Sequence, residues 1–231
     1  MSIANSEKAR TVLVLAAHPD DEVLGCGATL AKLASQGASV HVAFLADGET
    51  SRPGRDGVAG VQARQAAAHK ACQLLGVGSV SFGGFPDDRL DGVDLLDLVQ
   101  AVEAEVAQRK PQLVLTHHGG DLNVDHRRVH QATVTACRPQ SNHCVETLLF
   151  FEVPSSTEWQ VPPGAPFVPN WFEDVTEWVE RKLLALQAYE AELREWPHPR
   201  SVQAIEALFK WRGATVGVAA AEAFMLGRQR A

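Results

Sequence analysis

The chain has 231 residues, enough for one α/β domain with a sizeable core. Hydrophobic residues make up 45% and charged residues 21%, an ordinary globular composition that excludes a disordered or fibrous chain. Its 21 basic against 28 acidic side chains give a net charge of −7, and with no basic block this argues against nucleic acid or an anionic membrane surface as the main partner. Residues 1–10 are polar, carry no signal-peptide apolar region and are expected to be flexible. No apolar run approaches the roughly 20 residues a membrane span needs. Cys26, Cys72, Cys137 and Cys144 include no pair at zinc-knuckle or redox spacing, so free thiols and a cytoplasmic location are expected.

Residues 11–17 are apolar on both faces and read as a buried parallel strand. A helical pattern follows from Leu24 to Leu33 and stops near Gly37. A second strand is predicted at 40–45, a polar loop at 50–57 and a long helix at 58–75. A short third strand at 79–82, a helix at 93–108 and a fourth strand at 112–116 come next. The loop 117–126 is dense in His and Asp, and a helix over 127–137 and a fifth strand over 147–151 follow it. Residues 154–170 hold five of the twelve prolines and read as an extended loop, a candidate lid. Two helices are predicted at about 174–194 and 201–211, with a last helical turn or two at 219–226. The alternation implies a single Rossmann-like, doubly wound domain spanning 1–231. Its mostly parallel sheet has about five to six strands flanked by helices. In the common order 3-2-1-4-5, the loops after strands one and four face each other across the crevice where such sheets bind ligands.

Those two loops carry the chemistry. The first, Ala17-His18-Pro19-Asp20-Asp21-Glu22, crowds one imidazole and three carboxylates into a strand-to-helix turn. Acidic residues cap helix starts and complement the macrodipole, which accounts for the carboxylates but not for His18. His18 and Asp21 lie three residues apart across a tight turn and can converge on one ion, a normal zinc pair. Asp20 then stays unligated beside them, where a general base belongs. In the second loop, Asp125-His126 opens a helix, and His126 faces the first cluster under this topology. His130 reads as a surface histidine, and His117 and His118 divide between loop filler and substrate contacts. His18, Asp21 and His126 make a three-ligand site with one position open for water, the mark of a catalytic zinc centre. Iron(II) uses the same ligand types, so Fe²⁺ or another divalent metal remains an alternative. A nucleotide-binding oxidoreductase is disfavoured, because Gly25-Cys26-Gly27 sits within the helical pattern and no G-x-G-x-x-G follows strand one. A non-catalytic metal-stabilised or carbohydrate-binding protein leaves Asp20 without a purpose.

The two motifs, Ala17-His18-Pro19-Asp20-Asp21-Glu22 and Asp121-Leu122-Asn123-Val124-Asp125-His126-Arg127-Arg128-Val129, resemble the PIG-L/LmbE family of zinc-dependent N-acetyl-sugar deacetylases. Weaker similarity touches Arg64, Pro86-Asp87-Asp88-Arg89-Leu90, Pro169-Asn170 and Ala221-Glu222-Ala223-Phe224. The resemblance implies zinc on His18, Asp21 and His126, Asp20 as base, and an N-acetylglucosamine-type small-molecule substrate. It leaves a homo-oligomer open, and a zinc amidase acting on a non-sugar amide is the nearest alternative. Some family members carry a histidine, proposed to stabilise the oxyanion, where this chain has Asn123. Asn123 is therefore the candidate oxyanion donor and Asp125 the candidate partner of a ligating or catalytic group. An amide donates a hydrogen bond but no proton, so the general acid stays open. Arg64, Asp88, Asp121 and His117 are the candidate substrate contacts.

Overall fold

The computed structural model describes residues 10–51, 57–141 and 143–230. The flexible start expected at 1–10, Arg10 excepted, and the middle of the 50–57 loop lie outside the described residues. In chain order the elements are β1 Thr11–Ala16, α1 Asp21–Ser35, β2 Ser39–Ala46, α2 Gly57–Leu75, β3 Ser79–Phe85, α3 Leu95–Arg109, β4 Leu113–His117 and α4 Val124–Ala136. Then come β5 Thr147–Phe151, β6 Trp171–Asp174, α5 Val179–Gln187, α6 Val202–Ala214 and β7 Ala221–Gln229.

The sheet runs β3-β2-β1-β4-β5-β7-β6. The first five strands pair in parallel, and β7 pairs antiparallel with both β5 and β6. The predicted five-strand order therefore stands, and two further strands extend its edge. Residues 219–226 are not helical. Ala, Glu, Met and Leu favour a helix by propensity, but β7 is hydrogen-bonded on both sides, and that pairing overrides the local preference. The helix expected at 174–194 is likewise shorter. Its start is the end of β6, where Asp174 Oδ1 accepts hydrogen bonds from the Thr176 backbone N–H and hydroxyl and turns the chain.

β1 is buried on both faces from Val12 to Ala16. Val12, Val14 and Ala16 join a core with α1, α2, α5 and α6, while Leu13 and Leu15 join a second core with α3 and α4. β1 and β4 lie side by side in register from Val12↔Leu113 to Leu15↔Thr116. Their carboxyl ends, and the loops that leave them, therefore meet at the point where the winding reverses.

Helix α1 is broken at Cys26, whose φ of −147° and ψ of 16° are not helical. The break sits where Gly25 packs on Phe151; a Cβ there would lie 2.3 Å from the ring. The interrupted backbone is satisfied from outside. Glu222 of β7 accepts from Ala28 N at 3.0 Å and Thr29 N at 2.7 Å. Lys182 of α5 donates to Leu24 O at 2.8 Å and to Glu222 Oε1 at 2.7 Å. The first turn of α1, which carries Asp21 and Glu22, is thus set at its own angle by an ion pair buried between two later elements.

Candidate active site

The turn after β1 is tight. Asp21 N donates to His18 O at 3.2 Å, and Asp21 Oδ2 accepts from His18 N at 2.8 Å. Asp20 takes φ 122°, a conformation that costs a non-glycine residue on the order of 1–3 kcal/mol and concentrates at functional sites. Across the crevice, Asn123 caps α4, its Oδ1 accepting from Asp125 N at 2.7 Å and His126 N at 3.3 Å. That cap places His126 in the first helical turn, facing the β1 loop.

His18, Asp21 and His126 come together with a ligand atom from each within 4.8 Å of the others, and all three are buried. Asp21 Oδ2 is 3.3 Å from His18 Nδ1 and 3.4 Å from His126 Nε2. Among the described residues, Asp21 Oδ1 and His126 Nε2 are buried without hydrogen-bond partners. Orphaned lone pairs of this kind, on a carboxylate and an imidazole aimed at one point, fit a divalent cation. The far nitrogen of each histidine faces a carboxylate. His18 Nε2 lies 3.0 Å from Asp125 Oδ2, and His126 Nδ1 lies 3.1 Å from Asp121 Oδ1, a close approach that misses hydrogen-bond alignment. Such outer carboxylates fix the ring orientation and raise ligand basicity. Asp125 is itself held by Asp88 N at 2.8 Å and Leu90 N at 2.9 Å.

The titrations follow from this crowding. Burial opposes charge on His18, but its hydrogen bond to Asp125 and the charges of Asp21 and Asp87 hold its pKa well above the ordinary imidazole value. His126 is raised to about 9: burial again opposes, and the Asp21 charge and the Asp121 contact prevail. Burial would lift Asp21, yet the charge of the neighbouring His126 holds it well below the usual carboxylate range. Asp20 is shifted upward, chiefly by burial and against the pull of Arg200 and Arg64. Burial pushes Glu22 up to about 8 in spite of hydrogen bonds from Tyr189 Oη at 2.7 Å and Asp20 N at 3.0 Å.

A polar cavity of about 180 Å³ opens beside the cluster, with His18, Asp20, Arg64, Asp88, Asn123 and Arg200 in its wall. Arg200 Nη1 donates to Asp20 Oδ2 at 3.0 Å, and Arg64 Nη1 lies 3.9 Å from the same oxygen and 3.0 Å from Glu192. Asn123 Nδ2 donates to Asp88 Oδ1 at 3.0 Å.

Two of the expected substrate contacts do not reach this cavity. His117 is fully buried; its Nε2 accepts from Ala17 N at 2.8 Å, and its ring stacks on His126 with centroids 4.0 Å apart. Burial, helped by the charge of His126, depresses its pKa well below the ordinary value, so it packs as a neutral ring between β1 and β4. Asp121 is also fully buried, beneath His126, where it accepts from Asn123 N at 2.9 Å and from the hydroxyls of Ser156 and Thr157. His118 turns toward the 154–170 loop, its Nε2 2.9 Å from Ala165 O, and His130 bonds His117 O. Arg200, Glu192 and the Ser156–Thr157 pair escaped sequence reasoning because their approach to the site is set by packing of the later elements. Only the position of the hydroxyls, just past the carboxyl end of a strand beside β4, hinted at them.

The family model described as PIG-L, GlcNAc-PI de-N-acetylase, matches residues 13–137. The uncharacterized deacetylase YaiS of Escherichia coli is 30% identical over 195 residues, which cover 82% of this chain and 95% of that protein. Among solved structures, the N,N'-diacetylchitobiose deacetylase of Pyrococcus horikoshii has a TM-score of 0.74 at 21% identity, covering 95% of this chain and 84% of its own. GalB, the 4-carboxy-2-hydroxymuconate hydratase of Pseudomonas putida, has a TM-score of 0.78 at 22% identity, covering 96% and 98%. Both structural likenesses are of fold alone, and the fold carries two chemistries, so the reaction has to be argued from the site.

Proposed function

The chain belongs to the PIG-L family, and from that premise we propose that it removes the acetyl group from an N-acetylated amino sugar or its conjugate, at a zinc site of His18, Asp21 and His126. It is an enzyme that hydrolyses N-acetyl amides, and N-acetylated sugars are the substrates named for its family and for the chitobiose deacetylase. The observation that carries the reading is a buried three-ligand cluster with orphaned lone pairs, opening beside an unligated Asp20 in a polar cavity. Two imidazoles and one carboxylate suit zinc, and Fe²⁺ is the alternative for the same ligands.

A divalent ion held by His18, Asp21 and His126 would lower the pKa of a water and polarise a carbonyl. The chain's own residues supply the rest. Asp20 accepts the proton of the attacking water, and its burial raises its basicity toward the working range. Arg200 and Arg64 hold that carboxylate ionised and aimed. The Asn123 amide stands at the cavity wall, where the donor not used by Asp88 meets the developing oxyanion, a contact worth roughly 3 kcal/mol. Protonated Asp20 returns its proton to the leaving nitrogen, so acetate and a free amine result. Asp125 holds His18, Arg64 and Asp88 contact sugar hydroxyls, and His117 and Asp121 serve as buried supports.

The test is acetate release from free N-acetylglucosamine and its nucleotide-linked, chitobiose and inositol-linked derivatives. It is run with zinc, after chelation, and after zinc is restored. Chelation-sensitive release from one member is expected. Silence across the panel with metal bound would move the reading to a non-sugar amide, and silence with no bound metal would overturn the site.

A further inference from the structure

We infer that the paired hydroxyls of Ser156 and Thr157 are positioning residues of the metal centre, acting on His126 through Asp121. The inference rests on the proposed ligand set, and it concerns residues outside the stretch the family model matches.

The strip Ser155-Ser156-Thr157 follows β5, whose Phe151 pairs with His117 at the end of β4. It therefore stands at the same sheet edge as the cluster. Its backbone is held in an unusual shape. Ser155 takes φ 71°, and the Glu158 carboxylate accepts from both Ser155 N at 2.7 Å and Ser156 N at 3.3 Å. A left-handed serine is a strained choice, retained where surroundings over-determine it.

The result is that both hydroxyls converge on one buried carboxylate. Ser156 Oγ donates to Asp121 Oδ1, and Thr157 Oγ1 donates to Asp121 Oδ2 at 2.5 Å. Each hydroxyl is also fixed from behind, Thr157 Oγ1 accepting from Val153 N at 2.8 Å and Ser156 Oγ from Asn123 N at 3.3 Å. With a hydroxyl on each oxygen, Asp121 cannot rotate about its own axis, and Oδ1 stays 3.1 Å from His126 Nδ1. That contact holds the orientation of the His126 ring and leaves Nε2 facing Asp21, 3.4 Å from its Oδ2. Partners of this kind typically change metal affinity 10–100-fold when removed. Ser155 differs: its hydroxyl accepts from Arg200 Nε at 2.7 Å and does not touch Asp121.

Zinc affinity of the intact chain, measured by competition with a chromophoric chelator, tests the inference. The double variant Ser156→Ala/Thr157→Val is expected to bind zinc roughly 10–100-fold more weakly. Thr157→Ser keeps the hydroxyl and is expected to stay within about threefold of wild type. Ser155→Ala, on the same strip, is expected to leave zinc affinity unchanged. The d–d spectrum of the cobalt-substituted protein is expected to shift in the double variant alone. If the double variant does not fold, Ser156→Ala by itself carries the comparison. A wild-type chain that binds zinc, with variants indistinguishable from it, overturns this inference and leaves the proposed site standing. Equal weakening by Ser155→Ala would assign the effect to packing of the strip and also overturns it. A wild-type chain that binds no zinc overturns the site itself, and the inference with it.

Discussion

Replacing Lys182 with methionine removes the cation that bridges the break in α1. Methionine nearly matches the lysine stem in volume, so the packing change is small and the electrostatic loss dominates. Glu222, 4% exposed, is left with the Ala28 and Thr29 amides as its partners among the described residues. Leu24 O loses its side-chain donor. Breaking a buried pair by removing one partner costs about 3–5 kcal/mol, because the other charge stays buried. Since each kcal/mol moves the midpoint of a chain this size by about 2–4 °C, Lys182→Met should melt about 6–20 °C below wild type. Urea unfolding of Lys182→Met, Glu222→Gln and the double variant closes a cycle. The double variant should cost clearly less than the sum of the singles, since it strands neither charge. A Lys182→Met loss under about 1 kcal/mol, or additive singles, would refute the view that this pair holds the broken helix.

Asp20→Asn keeps the shape of the turn and the contact with Arg200 but removes the proton acceptor, so acetate release should fall at least about a hundredfold while bound zinc, counted by elemental analysis, stays at wild-type stoichiometry. A variant retaining more than about a tenth of the rate would displace Asp20 as the base. Glu22 supplies a pH test on the metal-free protein. Its pKa is about 8 in the fold against an ordinary 4.5, so the native state favours its protonated form. That contribution is whole below pH 4.5 and is lost as pH rises through about 8. Glu22→Gln, which does not ionise, should therefore gain stability relative to wild type across that window. At about 1.4 kcal/mol per pKa unit, the gain is bounded near 5 kcal/mol. A stability difference between the two proteins that stays flat from pH 5 to pH 8 would show that Glu22 is not buried as an acid.

By itself the sequence determined the parallel part of the sheet, because strands buried on both faces must be apolar there, as β1 is from Val12 to Ala16. It also determined the two loops that meet at the site, because the order 3-2-1-4-5 follows from strand–helix alternation and right-handed crossovers. His18 and Asp21 are legible for a local reason: a tight turn joins residues three apart. His126 is legible because the loop after β4 faces the loop after β1 in that strand order, and the Asn123 cap then sets it in the first turn of α4. What depends on distant packing was not legible. β7 carries helix formers yet lies as a strand, since hydrogen-bonding neighbours on both sides outweigh a propensity of tenths of a kcal/mol per residue. Arg200 reaches Asp20 across 180 positions of chain, and no local pattern encodes such a contact. His117 and Asp121 sit among candidate ligands in sequence, but rotation of their side chains decides which face meets the cavity. The tertiary structure turned both inward, where a backbone amide meets His117 Nε2 and two hydroxyls meet the Asp121 carboxylate.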